Sequence, residues 1–206
     1  PLCRKFGMPG ETRDGGCAEF IVVPAENVVA IPSNLSMETA AAIPVAGITA
    51  WSMVMERAGL KPGDLAFVQA GASGVSQFVI QLCRLLEVTV IASVSSDEKA
   101  KFVMELGANH VLNRSKVDIR QEVQKIAGAL GRTGCAAVFD HVGSDTFGIG
   151  MRLLERGGRY IFCGATSGSE VSLDLKPVFF KNLSILGVTM GSKSALPRVL
   201  ALVAQG

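Results

Sequence analysis

The sequence predicts an α/β chain built on a doubly wound parallel sheet. Three observations carry this. From residue 65 onward, short apolar runs alternate with helical patterns, the order that parallel strands joined by right-handed crossovers require. Hydrophobic residues make up 49% of the chain and charged residues only 18%, which suits a sheet buried on both faces. A glycine-rich turn, Gly71–Ser76, lies where the first of these runs meets its helix.

The same composition excludes several classes. The 206 residues allow one domain or two small ones and a sizeable core, which sets aside disorder and fibres. A net charge of +2 spread along the chain leaves no basic stripe, so no nucleic-acid partner is expected. The longest uncharged stretches, Thr39–Met55 and Leu65–Cys83, are interrupted by Pro44 and Gly47 and by Gln69, Gln77 and Gln81. Neither supplies the ~20 apolar residues of a span, so no membrane segment is expected. The five cysteines form no CxxC pair and no signal peptide opens the chain, which reads as reduced thiols in the cytoplasm. Pro1 is not an initiator Met, and Gly206 follows directly on an apolar helical pattern. The chain therefore reads as a piece of a longer protein.

The elements follow in order. Residues 1–16 are polar and glycine-rich, hence loop. Ala18–Val23 and Val28–Ile31 have strand composition, punctuated by Pro24 and Pro32. Ser36–Gly59 reads as helix in two pieces, broken near Pro44 and Gly47. The alternation then runs strand Leu65–Gln69, helix Gly74–Leu86, strand Val88–Ser93, helix Asp97–Leu106 and strand His110–Asn113. It continues with helix Asp118–Ala127, strand Ala136–Asp140, helix Asp145–Leu154, strands Arg159–Cys163 and Leu183–Thr189, and helix Ala195–Val203. In the first of these helices Val75, Phe78, Val79, Leu82, Cys83 and Leu86 follow the i, i+3, i+4, i+7 spacing. That stripe packs on the sheet and makes Cys83 a core residue.

The chemistry centres on Gly71-Ala72-Ser73-Gly74-Val75-Ser76. A dinucleotide-binding turn between strand and helix needs small residues for a tight turn, for approach to a pyrophosphate and for close helix packing. The helix N-terminus then offers N–H donors and a positive dipole end. Here serine stands at the second and third glycine positions, and a ligand-free turn is the alternative reading. After the second strand, a site for NAD places Asp or Glu on the ribose hydroxyls. This sequence has Ile91-Ala92-Ser93-Val94-Ser95-Ser96 instead, with Asp97 and Glu98 opening a helix behind an N-cap serine. Small hydroxyls such as Ser93, with Lys99 and Arg114 nearby, suit a 2′-phosphate; the alternative is that both cations are ordinary surface charges.

With these residues in view, the chain resembles the medium-chain dehydrogenase/reductases, in their zinc-type alcohol dehydrogenase and quinone reductase branches. The resemblance covers essentially the whole chain. It rests on Asp14-Gly15-Gly16-Cys17-Ala18-Glu19-Phe20, Ile43-Pro44-Val45-Ala46-Gly47-Ile48-Thr49-Ala50-Trp51, Leu60-Lys61-Pro62-Gly63-Asp64 and the 71–76 turn. Further runs are Glu105-Leu106-Gly107-Ala108, Asp140-His141-Val142-Gly143, Gly157-Gly158-Arg159 and Leu183-Ser184-Ile185-Leu186-Gly187. It implies a Rossmann domain over residues 33–206 and, in residues 1–32, the tail of a GroES-like catalytic domain.

The resemblance also implies site residues. Cys3 looks like the last of four structural-zinc ligands whose partners would precede Pro1, an orphan in this chain. Where the zinc branch carries a catalytic-zinc Cys after the proline, this sequence has Val45, which pulls the reading toward zinc-free quinone and enone reductases. The run Leu183–Ser194 pulls it back toward alcohol dehydrogenases. Zinc is thus expected only in a longer protein. Thr49 matches a threonine beside the nicotinamide, or is a helix hydroxyl bonded to its own backbone. Val142, Cys163, Gly164, Ala165, Val188 and Met190 would face the cofactor from the later strand ends. His141 reads as a proton relay or a satisfied structural residue. Trp51 reads as core.

The expected function is an NADP(H)-dependent oxidoreductase, moving hydride between nicotinamide and an alcohol, carbonyl, quinone or enone. NADP(H) is expected in preference to NAD(H), with a small-molecule substrate. The alternatives are a zinc-dependent alcohol dehydrogenase with an altered ligand set and a non-catalytic nucleotide-binding sensor or scaffold. The uncharged run Leu183–Thr189 is the sixth strand in a 3-2-1-4-5-6 order, hence an open edge, and a homodimer through it is expected.

Overall fold

The computed structural model describes residues 6–206. Six parallel strands form one sheet: β1 Leu65–Val68, β2 Thr89–Val94, β3 His110–Asn113, β4 Cys135–Asp140, β5 Leu154–Phe162 and β6 Ser184–Gly187. Their order is β3-β2-β1-β4-β5-β6, the doubly wound arrangement expected from the sequence. Eight α-helices accompany them: α1 Met37–Ala42, α2 Pro44–Trp51, α3 Gly74–Leu85, α4 Asp97–Glu105, α5 Ile119–Ala129, α6 Ser144–Leu153, α7 Leu175–Lys181 and α8 Leu196–Gln205. Among the described residues no helix is long and apolar enough to cross a membrane.

Period-2 alternation sends neighbouring strand residues to opposite faces. Ala66 and Val68 pack with Val79, Ile80 and Cys83 of α3 on one face, while Leu65 and Phe67 pack with Val123, Ala127, Phe147 and Met151 on the other. All four residues of β1 are fully buried, which is why that strand reads as an unbroken apolar run. Helix starts follow their caps. The Ser96 hydroxyl accepts from Lys99 N and the Asp118 carboxylate from Gln121 N.

Several boundaries differ from the sequence reading. Neither Ala18–Val23 nor Val28–Ile31 is a strand; Ala25–Asn27 is a single 3₁₀ turn. A strand exists only in a pair, and among the described residues no segment pairs with these, so Phe20 and Val22 stand 89% and 95% exposed. The helical break falls at Ile43–Pro44, whereas Gly47 lies inside α2. Helix then continues as a π-type stretch, Ser52–Ala58, ending at Gly59. Strand β5 begins at Leu154, earlier than Arg159, because a register shift lets Cys135 pair with Leu154 and Ala137 with Arg159. Helix α7 was not expected; it buries none of its residues.

Strand β6 is an edge, as expected, although shorter than Leu183–Thr189. Helix α8 places its buried residues, Val199 and Leu200, against Ile43 at the start of α2.

Candidate functional site: a cleft at the sheet's switch point

A cleft of about 240 Å³ opens at the C-terminal ends of β1, β2 and β4, where the strand order reverses. The β1–α3 turn contributes Gln69, Ala70, Ala72 and Ser73. The end of β2 contributes Ser93, Val94 and Ser95, the first turn of α4 Lys99, the residue after β3 Arg114, and the β4–α6 turn and first turn of α6 Val142 and Thr146. Six residues singled out from the sequence therefore share one cavity: Ala72, Ser73, Ser93, Lys99, Arg114 and Val142.

The turn differs in detail from the glycine pattern. Its left-handed residue is Ala70, at φ 46°. Gly71 is needed for room: a Cβ there would lie 3.0 Å from the Ala92 methyl and 3.1 Å from Val103 Cγ1. Ser76, at the third small position, is buried and donates its hydroxyl to Gln69 O at 2.9 Å, which lets α3 approach β1 closely without an unmet polar group. Ser73 is the N-cap of α3 but forms no side-chain cap. The N–H groups of Gly74, Val75 and Ser76 consequently have no partner among the described residues.

The β2 end carries no free carboxylate. Ser93 is buried; its hydroxyl accepts from Ala70 N at 3.1 Å and donates to Gln69 Oε1 at 2.8 Å. Asp97 is engaged elsewhere, accepting from Lys116 Nζ and from Asn113 Nδ2 at 2.8 Å, and these bonds hold its carboxyl below the usual range. The Lys99 ammonium donates to Ser95 Oγ, at 3.4 Å, and neither Lys99 nor Arg114 forms an ion pair among the described residues. The cleft thus holds two unneutralised cations.

At the β4 end the Asp140 carboxylate is buried. It accepts from Val142 N and from the Thr146 hydroxyl, both at 2.6 Å, and from the Tyr160 hydroxyl. Burial, and next the Asp140 charge, push the Tyr160 phenol up, so it remains a donor. The loop after β5 closes over the start of α6: Ser144 N donates to Gly168 O at 3.0 Å and Asp145 N to Ser167 Oγ at 3.1 Å. Gly143 is obligatory there, at φ +99° with a Cβ position 2.5 Å from Gly168 O.

The other expected residues lie outside the cleft's lining. Gly71, Gly74 and Val75 support it from the turn and the first turn of α3. The Thr49 hydroxyl donates to Val45 O at 2.6 Å, the intrahelical bond, and is buried. Cys163 is half-buried and its thiol is pushed up to about 11 by burial, then by Asp140, so it stays protonated. Gly164 and Ala165 line a separate apolar cavity with Tyr160 and Phe162. Val188 is buried and donates its N–H to Phe162 O, while Met190 holds φ 54°. His141 is half-buried, its imidazole pulled down by burial against the opposing pull of Asp140. Cys3 lies outside the described residues, among which no three His, Cys, Asp or Glu side chains group as a metal centre. Sequence reasoning passed over Gln69 and Thr146; the one signal for Gln69 was a polar side chain ending an apolar strand.

Known proteins match this architecture. Residues 74–205 match the zinc-binding dehydrogenase family. Quinone oxidoreductase-like protein 2 of Bos taurus is 33% identical over 189 residues, 91% of this chain and 52% of that protein. Alcohol dehydrogenase of Geobacillus stearothermophilus is 29% identical over 205 residues, 100% of this chain and 59% of that one. A crystal structure of an NAD-dependent alcohol dehydrogenase is 40% identical with a TM-score of 0.93, covering 100% of this chain and 59% of that one. The chain thus spans 52% to 59% of the length of these relatives. It belongs to the zinc-binding dehydrogenase family, within the medium-chain dehydrogenase/reductases, a family of oxidoreductases.

Proposed function

We propose that the cleft binds NADP(H) and that the chain is the cofactor-holding part of an oxidoreductase acting on a small-molecule alcohol, carbonyl, quinone or enone. The observation that carries the reading is a single cavity lined by Ala72 and Ser73, just ahead of the three uncapped amides of α3, and by two cations without an ion-pair partner among the described residues. The amides of Gly74, Val75 and Ser76 would hold the pyrophosphate. The 2′-phosphate would meet Lys99 and Arg114, with Asp97 turned away by Lys116 and Asn113. The absence of any steric neighbour closer than 3.9 Å to a Cβ at Gly74 fits a phosphate lying against this turn. When bound, the nicotinamide supplies or accepts the hydride. This chain's own part is to anchor the phosphates and to shape the β4 end through the Asp140 bonds.

Binding titration decides the reading. NADPH binds more tightly than NADH, and Lys99→Ala or Arg114→Ala each weakens NADPH by about 1.5–3 kcal/mol while sparing NADH. The rival in the same cleft is NAD(H), favoured by the likeness to the NAD-dependent alcohol dehydrogenase. Equal affinities, or tighter NADH, establish that rival.

The domain division and assembly extend the proposal. Residues 1–32 would be the end of a GroES-like domain and residues 33–206 the Rossmann domain, supported by the uncovered Phe20 and Val22. The β6 edge would pair with a second copy about a two-fold axis. Light scattering that gives the single-chain mass of 21.6 kDa at micromolar concentration overturns the dimer.

A further inference from the structure

We infer that Gln69 is the residue that reads the adenosine ribose in this cleft, with Ser93 as the residue that orients it. The inference rests on the proposed dinucleotide reading and adds a specificity-determining group to it. Gln69 directly follows the apolar run of β1 and is 95% buried, at 5% exposure. A buried amide has two donors and an acceptor to satisfy. Its Oε1 is satisfied by the Ser93 hydroxyl at 2.8 Å, and that hydroxyl is itself held by Ala70 N at 3.1 Å. Nε2 has no hydrogen-bond partner among the described residues and keeps accessible surface, and Gln69 is one of the residues that line the cleft. A donor on a largely buried side chain that has no protein partner and keeps a little accessible surface is met there by water or by a ligand.

The position specifies what would meet it. Gln69 stands between the β1–α3 turn and the end of β2, beside Ser93 and across from Lys99 and Arg114. Under the proposed reading this is where the adenosine ribose lies, with the pyrophosphate at α3 and any 2′-phosphate at the two cations. A neutral NH₂ donates equally to a hydroxyl oxygen or a phosphate oxygen. It therefore admits the phosphorylated ribose, which a carboxylate at the same point would repel. The Ser93 hydroxyl has its one proton on Gln69 and so acts through that residue. The preference expected from Ser93 in the sequence is thereby relocated: Ser93 is a positioning residue and Gln69 the contact.

Gln69→Glu tests this with the least change of shape. Ser93 donates to one carboxylate oxygen, and the other faces the cleft as an acceptor for ribose hydroxyls. Calorimetric titration of wild type and variant with NADPH, NADH and 2′-AMP is the experiment. The ratio of NADPH to NADH dissociation constants moves toward NADH by about tenfold or more, and 2′-AMP binding is lost. Ser93→Ala, which keeps the amide but releases its orientation, weakens both dinucleotides by a similar, smaller factor and leaves their ratio unchanged. Gln69→Met, apolar and of similar length, guards against a fold lost to the buried charge; it weakens both dinucleotides without moving the preference toward NADH. Circular dichroism of each variant reports folding independently. If wild type prefers NADPH and Gln69→Glu folds but keeps the wild-type ratio, the assignment of Gln69 is overturned. If Gln69→Glu does not fold and Gln69→Met binds both dinucleotides like wild type, the assignment is overturned as well. If wild type binds no dinucleotide, the reading beneath it fails, and the two failures are distinct.

Discussion

Helices α3 and α6 start in the same way and end up with opposite fates. Each follows the C-terminal end of a central strand, β1 or β4, through a short turn containing glycine, and the two strands are neighbours in the sheet. Each N-cap, Ser73 or Gly143, offers no side-chain cap. At α6 the chain closes its own helix: Gly168 O and Ser167 Oγ take the amides of Ser144 and Asp145, and Gly143 O takes that of Thr146. At α3 nothing among the described residues takes the amides of Gly74, Val75 and Ser76. A glycine turn before a helix is therefore only half of an anion site. The other half is the absence of a segment that satisfies the helix first, and that absence is a property of the tertiary structure.

The largest effect should come from giving α3 what α6 already has. Ser73 has the extended N-cap geometry, φ −74° and ψ 152°, and an aspartate there can accept from the free amides. Ser73→Asp is expected to raise the stability of the ligand-free protein by about 0.5–1 kcal/mol. It should also weaken dinucleotide binding by about a hundredfold, because the carboxylate occupies the donors and repels phosphate. Thermal melts and calorimetric titration read the two changes separately. Unchanged binding would place the phosphates elsewhere than the start of α3.

Next in size is the support beneath α6. The Asp140 carboxylate accepts three bonds, and Asn cannot accept all three with the same geometry. Asp140→Asn is expected to cost about 2–3 kcal/mol in denaturant unfolding, with a smaller loss of dinucleotide affinity through Val142 and Thr146. A loss below about 0.5 kcal/mol would mean that the network is not structural. Buried acidic groups on both faces of the sheet set the alkaline limit. The Tyr160 phenol is raised above its ordinary value of 10.0, and Cys83 and Cys135 are raised from 9.0 to about 12 by burial. These groups are held neutral in the fold and ionise more easily when it opens. Their contribution is full below about pH 9 and is lost as pH rises toward the folded values. Unfolding free energy should fall steadily above about pH 9; a flat profile from pH 9 to 11 would contradict the burial of these groups.

Much of this architecture was legible because its signals are local. Apart from α7, the strand and helix order from Leu65 to Val203 follows from periodicity, and the start of α4 from Ser96. The cleft's two cations were legible too, since Lys99 and Arg114 follow the ends of the second and third strands in sequence. What stayed hidden depends on partners far along the chain. Composition gave Ala18–Val23 a strand propensity but could not provide the neighbouring strand. A hydroxyl's partner cannot be read from its type, so Ser93 looked like a ligand contact while the structure turns its proton onto Gln69. Gln69 itself looked like the end of an apolar run. The closure of α6 was equally invisible, because Ser167 lies 22 positions beyond the amide it accepts from.

The smallest expected effect tests that closure directly. Ser167 Oγ accepts from Asp145 N at 3.1 Å and donates to Val142 O at 2.8 Å, so one hydroxyl ties the loop after β5 to both sides of the β4–α6 turn. Ser167→Ala removes both bonds in an exposed setting, where water replaces them in part. The expected loss is about 1 kcal/mol of stability. The variant should not turn α6 into a second anion site. Ser144 N still donates to Gly168 O and Thr146 N to Gly143 O, which leaves one free amide where α3 has three. Hydrogen exchange gives the sharper readout. The Asp145 amide should exchange faster, the Ser144 amide should keep its protection, and dinucleotide affinity should stay within about twofold of wild type. Faster exchange at all three amides would show that Ser167 holds the whole loop in place. The difference between the two helices would then hang on a single hydroxyl, where the structure distributes it over the backbone of residues 165–168.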